Sequence, residues 1–175
     1  MNLKSLIRTV PNYPKQGILF RDISTLLYNG KALKYIANLY YNRYKDKNIT
    51  CIAGIEARGF IFGAIIAEKL GIPFIPIRKK GKLPCKVFSE EYSLEYGVDT
   101  LEIDVNAIDE HSSVVIIDDL IATGGTALAS TNLIKNFNAS IYECSFLINL
   151  PELGGAKTLE INNFKVHALM EFKGK

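Results

Sequence analysis

Residues 112–118 read SSVVIID, and so continuous a β-branched run has no polar face to offer solvent. A strand of this kind must be covered on both sides, as the central strands of a parallel sheet are. Parallel neighbours need crossover connections, and the rest of the chain supplies segments for them. Leu33, Ile36, Ala37, Tyr40 and Tyr44 recur at helical spacing, which predicts an amphipathic helix over residues 31–44. TCIAGI predicts a short buried strand, EARG a turn, and residues 59–70 a helix closed by Gly71. IPFIPI predicts another strand, which Pro73 opens and Pro76 interrupts. LEIDV and SIYECSFLINL predict further strands, with helices over residues 126–137 and 152–159 and a last strand near FKVHALM. Alternating strands and helices imply right-handed crossovers and an α/β fold, a central parallel sheet flanked by helices. Ligands of such sheets sit beyond the carboxyl ends of the strands, where EARG and the segment after residue 118 would meet.

Residues 78–97, RKKGKLPCKVFSEEYSLEYG, break the pattern. They are polar and charged, with no sustained apolar period, and predict a long surface excursion or a mobile hairpin, of the kind that serves as a lid. The 175 residues suit one domain, 1–175, large enough to bury roughly 70% of its unfolded surface without staples. A formal charge of +3 gives no case for a nucleic-acid partner. Cys51, Cys85 and Cys144 are odd in number and lack metal-site spacing. They argue against a disulfide framework or zinc site and point to a reducing, cytoplasmic setting. The N-terminal MNLKSLIRTVPNYPK has no signal-like apolar core, and the longest apolar run, GFIFGAIIA, is too short to span a membrane.

No two glycines are separated by one residue, so a GxGxxG dinucleotide fingerprint is absent; no Gly-Lys pair has the spacing of a Walker A loop. What remains is VVIIDDLIATGGT, residues 114–126: a strand, two acids, and a glycine-paired turn that opens a helix. Gly124 and Gly125 let backbone N–H groups approach a ligand, Thr123 and Thr126 add hydroxyls, and the helix start favours an anion. The bare TGGT would equally suit a plain strand-to-helix turn with a threonine cap. Asp118 and Asp119 separate these readings. A phosphate alone would not select two carboxylates, whereas a sugar phosphate would, because they accept hydrogen bonds from its hydroxyls and favour positive charge on its ring.

This segment resembles the 5-phosphoribosyl-1-pyrophosphate (PRPP) signature of the type I phosphoribosyltransferases. YPKQGILFRDIS, GIEARGFIFGA, IRKKGKLP and YSLEYG are similar to segments of the branch that acts on adenine, and INLPELGG adds a weaker match. The resemblance implies the family fold with a small flexible hood, formed by parts of residues 10–28 and 79–99. It implies transfer of phosphoribose from PRPP to adenine in purine salvage, giving AMP and pyrophosphate. It also implies that Asp118 and Asp119 hold the ribose hydroxyls, while Ala122, Thr123, Gly124, Gly125 and Thr126 take the 5-phosphate. Arg58 would meet pyrophosphate beside a cis Glu56–Ala57 peptide. Arg78, Lys79 and Lys82 would supply further cationic contacts, some reaching a neighbouring subunit of a homodimer. Adenine would meet the backbone at Leu19 and the ring of Phe20, with Arg21 closing the pocket or bracing its loop. Glu95, in the hood, would be the acid–base group, with Tyr96 beside it. Mg2+ would bind through pyrophosphate and ribose oxygens and water, with no dedicated protein ligands.

Many relatives acting on 6-oxopurines carry an aspartate where this chain has Ala122, a departure that favours adenine. Gln16 and Ile121 also differ from frequent family choices without removing a functional group. A sister transferase would keep the PRPP loop and alter GILFRD. A PRPP-sensing regulator generally adds a DNA-binding segment, for which this chain has neither the length nor the basic patch. His111 and His167 fit no motif and read as surface or packing residues.

Overall fold

The computed structural model describes residues 1–94 and 97–174. Among them, Arg8–Pro11 (β1) and Leu19–Asp22 (β2) pair antiparallel as a small separate sheet. One turn of helix, Ser24–Leu27 (α1), leads to the amphipathic helix Gly30–Tyr44 (α2). Asn29 caps α2 by accepting the N–H of Ala32. Then come Cys51–Ile55 (β3), Arg58–Leu70 (α3) and Phe74–Lys79 (β4). Gly71 ends α3 in the left-handed conformation, as a C-terminal glycine should. Val87–Leu94 (β5), Gly97–Asp104 (β6), Ser113–Ile121 (β7), Gly125–Lys135 (α4), Ser140–Asn149 (β8), Gly155–Ile161 (α5) and Val166–Glu171 (β9) complete the order.

The main sheet runs β5-β6-β4-β3-β7-β8-β9. The stretch from β4 to β9 is parallel, and the β5–β6 hairpin joins it antiparallel through β4. Alternation splits the core: Val115 and Ile117 face α2 and α3, while Val114 and Ile116 face α4 and α5. From β3 the chain winds one way to β4, and from β7 the other way to β8 and β9. The crevice between β3 and β7 is therefore the switch point at which such sheets take ligands.

The expected surface excursion is in part a hairpin, the alternative offered for it, but one built into the sheet: Arg78 and Lys79 finish β4, and β5 packs along α4 as the sheet's edge. The period-2 pattern was present but disguised. Its inward face carries Phe88, Glu90 and Tyr92, and Glu90 is satisfied there by Asn132 Nδ2 at 2.7 Å. The two expected parts of the hood accordingly lie in different sheets, and the β1–β2 pair was not foreseen. Across the sheet, α2 is fastened to β8 by Glu143, only 4% exposed. Glu143 accepts bonds from Arg43 Nε (2.8 Å) and the Tyr44 hydroxyl (2.6 Å). His167 packs beside Ser145 at 2.9 Å, and His111 is exposed, as expected of both. All three cysteines are free. Among the described residues no helix is long and apolar enough to cross a membrane.

Candidate active site

Strand β7 runs past both acids to Ile121, so Asp118 and Asp119 are strand residues and not part of the loop. Their side chains alternate, yet both reach the cavity at the strand's end. That cavity, of about 230 Å³, is lined by Arg58, residues 118–127 and Phe146. Opposite β7, the chain leaving β3 passes through a cis Glu56–Ala57 peptide into α3, whose first residue is Arg58. Arg58 Nε lies 3.1 Å from Asp119 Oδ2. The two segments singled out in the sequence thus meet at one point.

Burial dominates the electrostatics of the acid pair. Asp119 is 2% exposed, and its Oδ2 is not hydrogen-bonded despite the nearby guanidinium. Loss of water raises its carboxyl, and the Arg58 charge offsets only part of that rise. Asp118 is half-buried and is pushed well above the usual range, first by desolvation and then by the charge of Asp119. Asp118 Oδ1 accepts the N–H of Asp119 at 2.8 Å, which holds the carboxylate in place. A pair carried at this cost is poised for a partner that brings hydroxyl donors or positive charge.

Residues 122–126 supply the opposite polarity. Gly124 adopts φ 89°, a conformation that glycine takes without penalty, and α4 starts at the next residue with no side chain capping it. The first N–H groups of α4 have no intrahelical acceptor and open onto the cavity, a ready anion site. The α3 terminus also lacks a side-chain cap. The loop is backed by the start of α5: Gly155 N donates to Ala122 O at 2.9 Å. A Cβ on Gly155 would fall 2.3 Å from that same oxygen.

The remaining predicted residues lie around this centre. Phe20 packs edge-on against Tyr13 at 5.1 Å, and the Arg58 guanidinium lies 5.8 Å from its ring centroid. Arg58 therefore connects the aromatic on β2 to the acids on β7. Leu19 and Phe20 do not line the cavity itself, nor does Arg21, whose side chain turns away from it as a brace to Thr9 and Lys173. Arg78 donates to Glu56 (Nε to Oε2, 3.2 Å) and to the Lys82 carbonyl (3.0 Å). Lys79 Nζ bonds the Asp99 carboxylate and the Tyr92 hydroxyl, and Lys82 is exposed. None of these three cations lines the cavity. Glu95 and Tyr96 lie outside the described residues.

Three positions escaped the sequence reading. Phe146 lines the cavity from β8, in register with Asp118. Gly155 backs the loop, and Gly59 lets α3 approach β7, since a Cβ there would fall 2.7 Å from Ile117 O. Only the glycines left a signal, as Gly154–Gly155 and the Gly59/Gly63 pair one helical turn apart.

Comparison with known proteins places this geometry. The model of the phosphoribosyl transferase domain matches residues 22–167. The adenine phosphoribosyltransferase of Shewanella halifaxensis is 50% identical over 173 residues, spanning 99% of this chain and 94% of that one. The crystal structure of the Thermoanaerobacter pseudethanolicus adenine phosphoribosyltransferase superimposes with TM-score 0.92 at 42% identity, over 97% of this chain and 98% of that one. That of Giardia lamblia, complexed with 9-deazaadenine, gives 0.90 at 33%, over 98% and 96%. A chain half identical to a relative along nearly its whole length, with the same sheet, belongs to the type I phosphoribosyltransferase family, in its adenine phosphoribosyltransferase branch.

Proposed function

We propose that the chain transfers the 5-phosphoribosyl group of PRPP to N9 of adenine, giving AMP and pyrophosphate. The observation that carries this reading is the split polarity of one cavity, with uncapped helix N–H groups on one side and two strained acids on the other. Residues 122–126 take the 5-phosphate, and Asp118 and Asp119 take the ribose hydroxyls. As the anomeric C–O bond breaks, its electron pair leaves with pyrophosphate and positive charge develops on the ribose ring. The buried carboxylates stabilise that charge from fixed positions, without reorganisation. N9 then forms the new bond with inversion, and its proton is lost. Glu95 is the proposed acceptor.

Adenine is read at the outer edge of β2, which pairs on one side only and leaves alternate N–H and C=O groups free. Leu19 supplies that backbone and Phe20 the ring face. Arg58 stands between base and sugar, balances Asp119 and is placed to meet pyrophosphate. Mg2+ would be held through pyrophosphate and ribose oxygens and water, without a dedicated protein ligand: Asp119 Oδ2 is buried and already faces Arg58 Nε at 3.1 Å, and among the described residues no cluster of three or more ligands forms. Magnesium gives up its waters reluctantly and binds readily through substrate oxygens. When bound it would neutralise charge on the departing pyrophosphate.

The exposed position of Lys82, outside the cavity, suits a homodimer in which this loop serves the neighbouring site. Free cysteines suit a reducing cytoplasm. The test is AMP formation from adenine, PRPP and magnesium, with hypoxanthine and guanine as controls. Faster turnover of a 6-oxopurine would assign the chain to a sister activity. Absence of pyrophosphate release with every base would leave PRPP binding without transfer.

A further inference from the structure

The geometry points to the C-terminal segment, residues 172–174, as a strap that positions the base-reading strand β2 through Arg21. Arg21 is 7% exposed and, among the described residues, forms no ion pair with a carboxylate. Its charge is met by a hydroxyl, a carbonyl and a ring. Nη1 donates to Thr9 Oγ1 at 2.6 Å, Nη2 to the Lys173 carbonyl at 2.7 Å, and the guanidinium lies 4.7 Å from the Phe172 ring centroid. Two of these three partners belong to the tail. Without them a buried cation would be left with one hydroxyl, and β2 would have to move to solvate it.

Side chains alternate along a strand, so Leu19 and Arg21 share one face of β2 and Phe20 takes the other. Holding the first face sets the direction of the second, on which Phe20 meets Arg58 at 5.8 Å. The tail also runs close to Leu19: a Cβ added to Gly174, whose φ is 91°, would fall 3.0 Å from Leu19 Cδ1. Its other end is fixed to the main sheet, where Phe172 N donates to the Asn149 carbonyl of β8 at 3.0 Å. Strand β2 is thereby referenced to the sheet edge that carries the acids, although the two sheets share no strand pairing. Arg21 and Phe172 are positioning residues in this arrangement.

The inference rests on the proposal that β2 reads the base, so the experiment separates the two. Phe172→Ala, a deletion of residues 172–175 and Phe20→Ala are compared by melting and by steady-state kinetics against each substrate. Both tail variants should raise the adenine KM about tenfold, the scale of a lost buried cation–ring contact. The PRPP KM, and kcat at saturating adenine, should stay within about twofold. An unchanged adenine KM in both tail variants overturns the strap, as does an equal loss in both substrates, which marks general destabilisation. Should the deletion fail to fold, Phe172→Ala decides alone. An unchanged adenine KM in Phe20→Ala refutes base reading by β2 and, with it, the strap's purpose, whatever the tail variants do.

Discussion

Alanine at Gly59 tests whether close packing of α3 on β7 fixes the acid pair. The added Cβ would lie 2.7 Å from Ile117 O, 3.0 Å from Asp118 Oδ1 and 3.1 Å from Asp118 Cα. Ordinary contact begins at 3.4 Å, so helix and strand must part by roughly 0.7 Å. Two of the three atoms are backbone and cannot swing aside. Such overpacking costs about 1–3 kcal/mol, of which alanine's better helix propensity returns up to about 1 kcal/mol. Stability should therefore fall by about 0–3 kcal/mol. Catalysis should suffer more, because a misplacement near 1 Å costs about a hundredfold. We expect kcat to drop by about ten- to a hundredfold. Gly63→Ala is the control: it lies one turn further along α3, and its Cβ would meet Phe74 Cε2 at 2.7 Å, a side chain of β4 rather than the backbone of β7. It should keep kcat within about twofold at a comparable melting temperature. Initial rates at saturating adenine and PRPP, paired with thermal melts, decide the matter. Full kcat in Gly59→Ala, or an equal loss in Gly63→Ala, would refute the reasoning.

Two further outcomes follow from buried charge. Asp118 has its carboxyl raised, so its favourable contribution to folding is present below the unfolded value near 3.9 and is lost as pH rises through the folded value. Asp118→Asn should therefore melt higher than wild type at pH 7.5, with the gain fading toward pH 4, while kcat falls by about 3–4 kcal/mol in activation free energy; a lower melting temperature at pH 7.5 contradicts this. Glu143 is the opposite case. Burial pushes its carboxyl up, but the bonds from Arg43 and Tyr44 outweigh burial and leave it below the ordinary value. Its stabilisation is present above the unfolded value and is lost as pH falls through the depressed one. Glu143→Gln should cost about 2 kcal/mol at neutral pH and progressively less in acid, read by urea denaturation across pH.

Legibility in the sequence followed physical cause. SSVVIID, Gly71 and the helix at Leu33–Tyr44 spacing were readable because each is a local necessity of burial or backbone geometry. Strand β5 was not, because Glu90 on its inward face is satisfied by Asn132 on α4, a partner that only the fold brings near. The short pair β1–β2 was missed for a similar reason: its buried member is Arg21, whose partners lie on β1 and at the far end of the chain. At the site, Asp118, Asp119 and the glycine turn could be singled out by residue type, and they line one cavity. Phe146 did not, since a phenylalanine beside a ligand and one in the core read alike.

The small sheet that carries Leu19 and Phe20 shares no ladder with the large sheet that carries the acids. On the proposed reading, choice of base and handling of sugar phosphate would fall to separate mechanical parts, joined by covalent chain, side-chain packing and the tail. A lineage could retool the smaller part for a new heterocycle while leaving the ribose chemistry untouched. Changes to the larger part would have no such freedom, because its acids, helix ends and backing glycines stand within contact of one another.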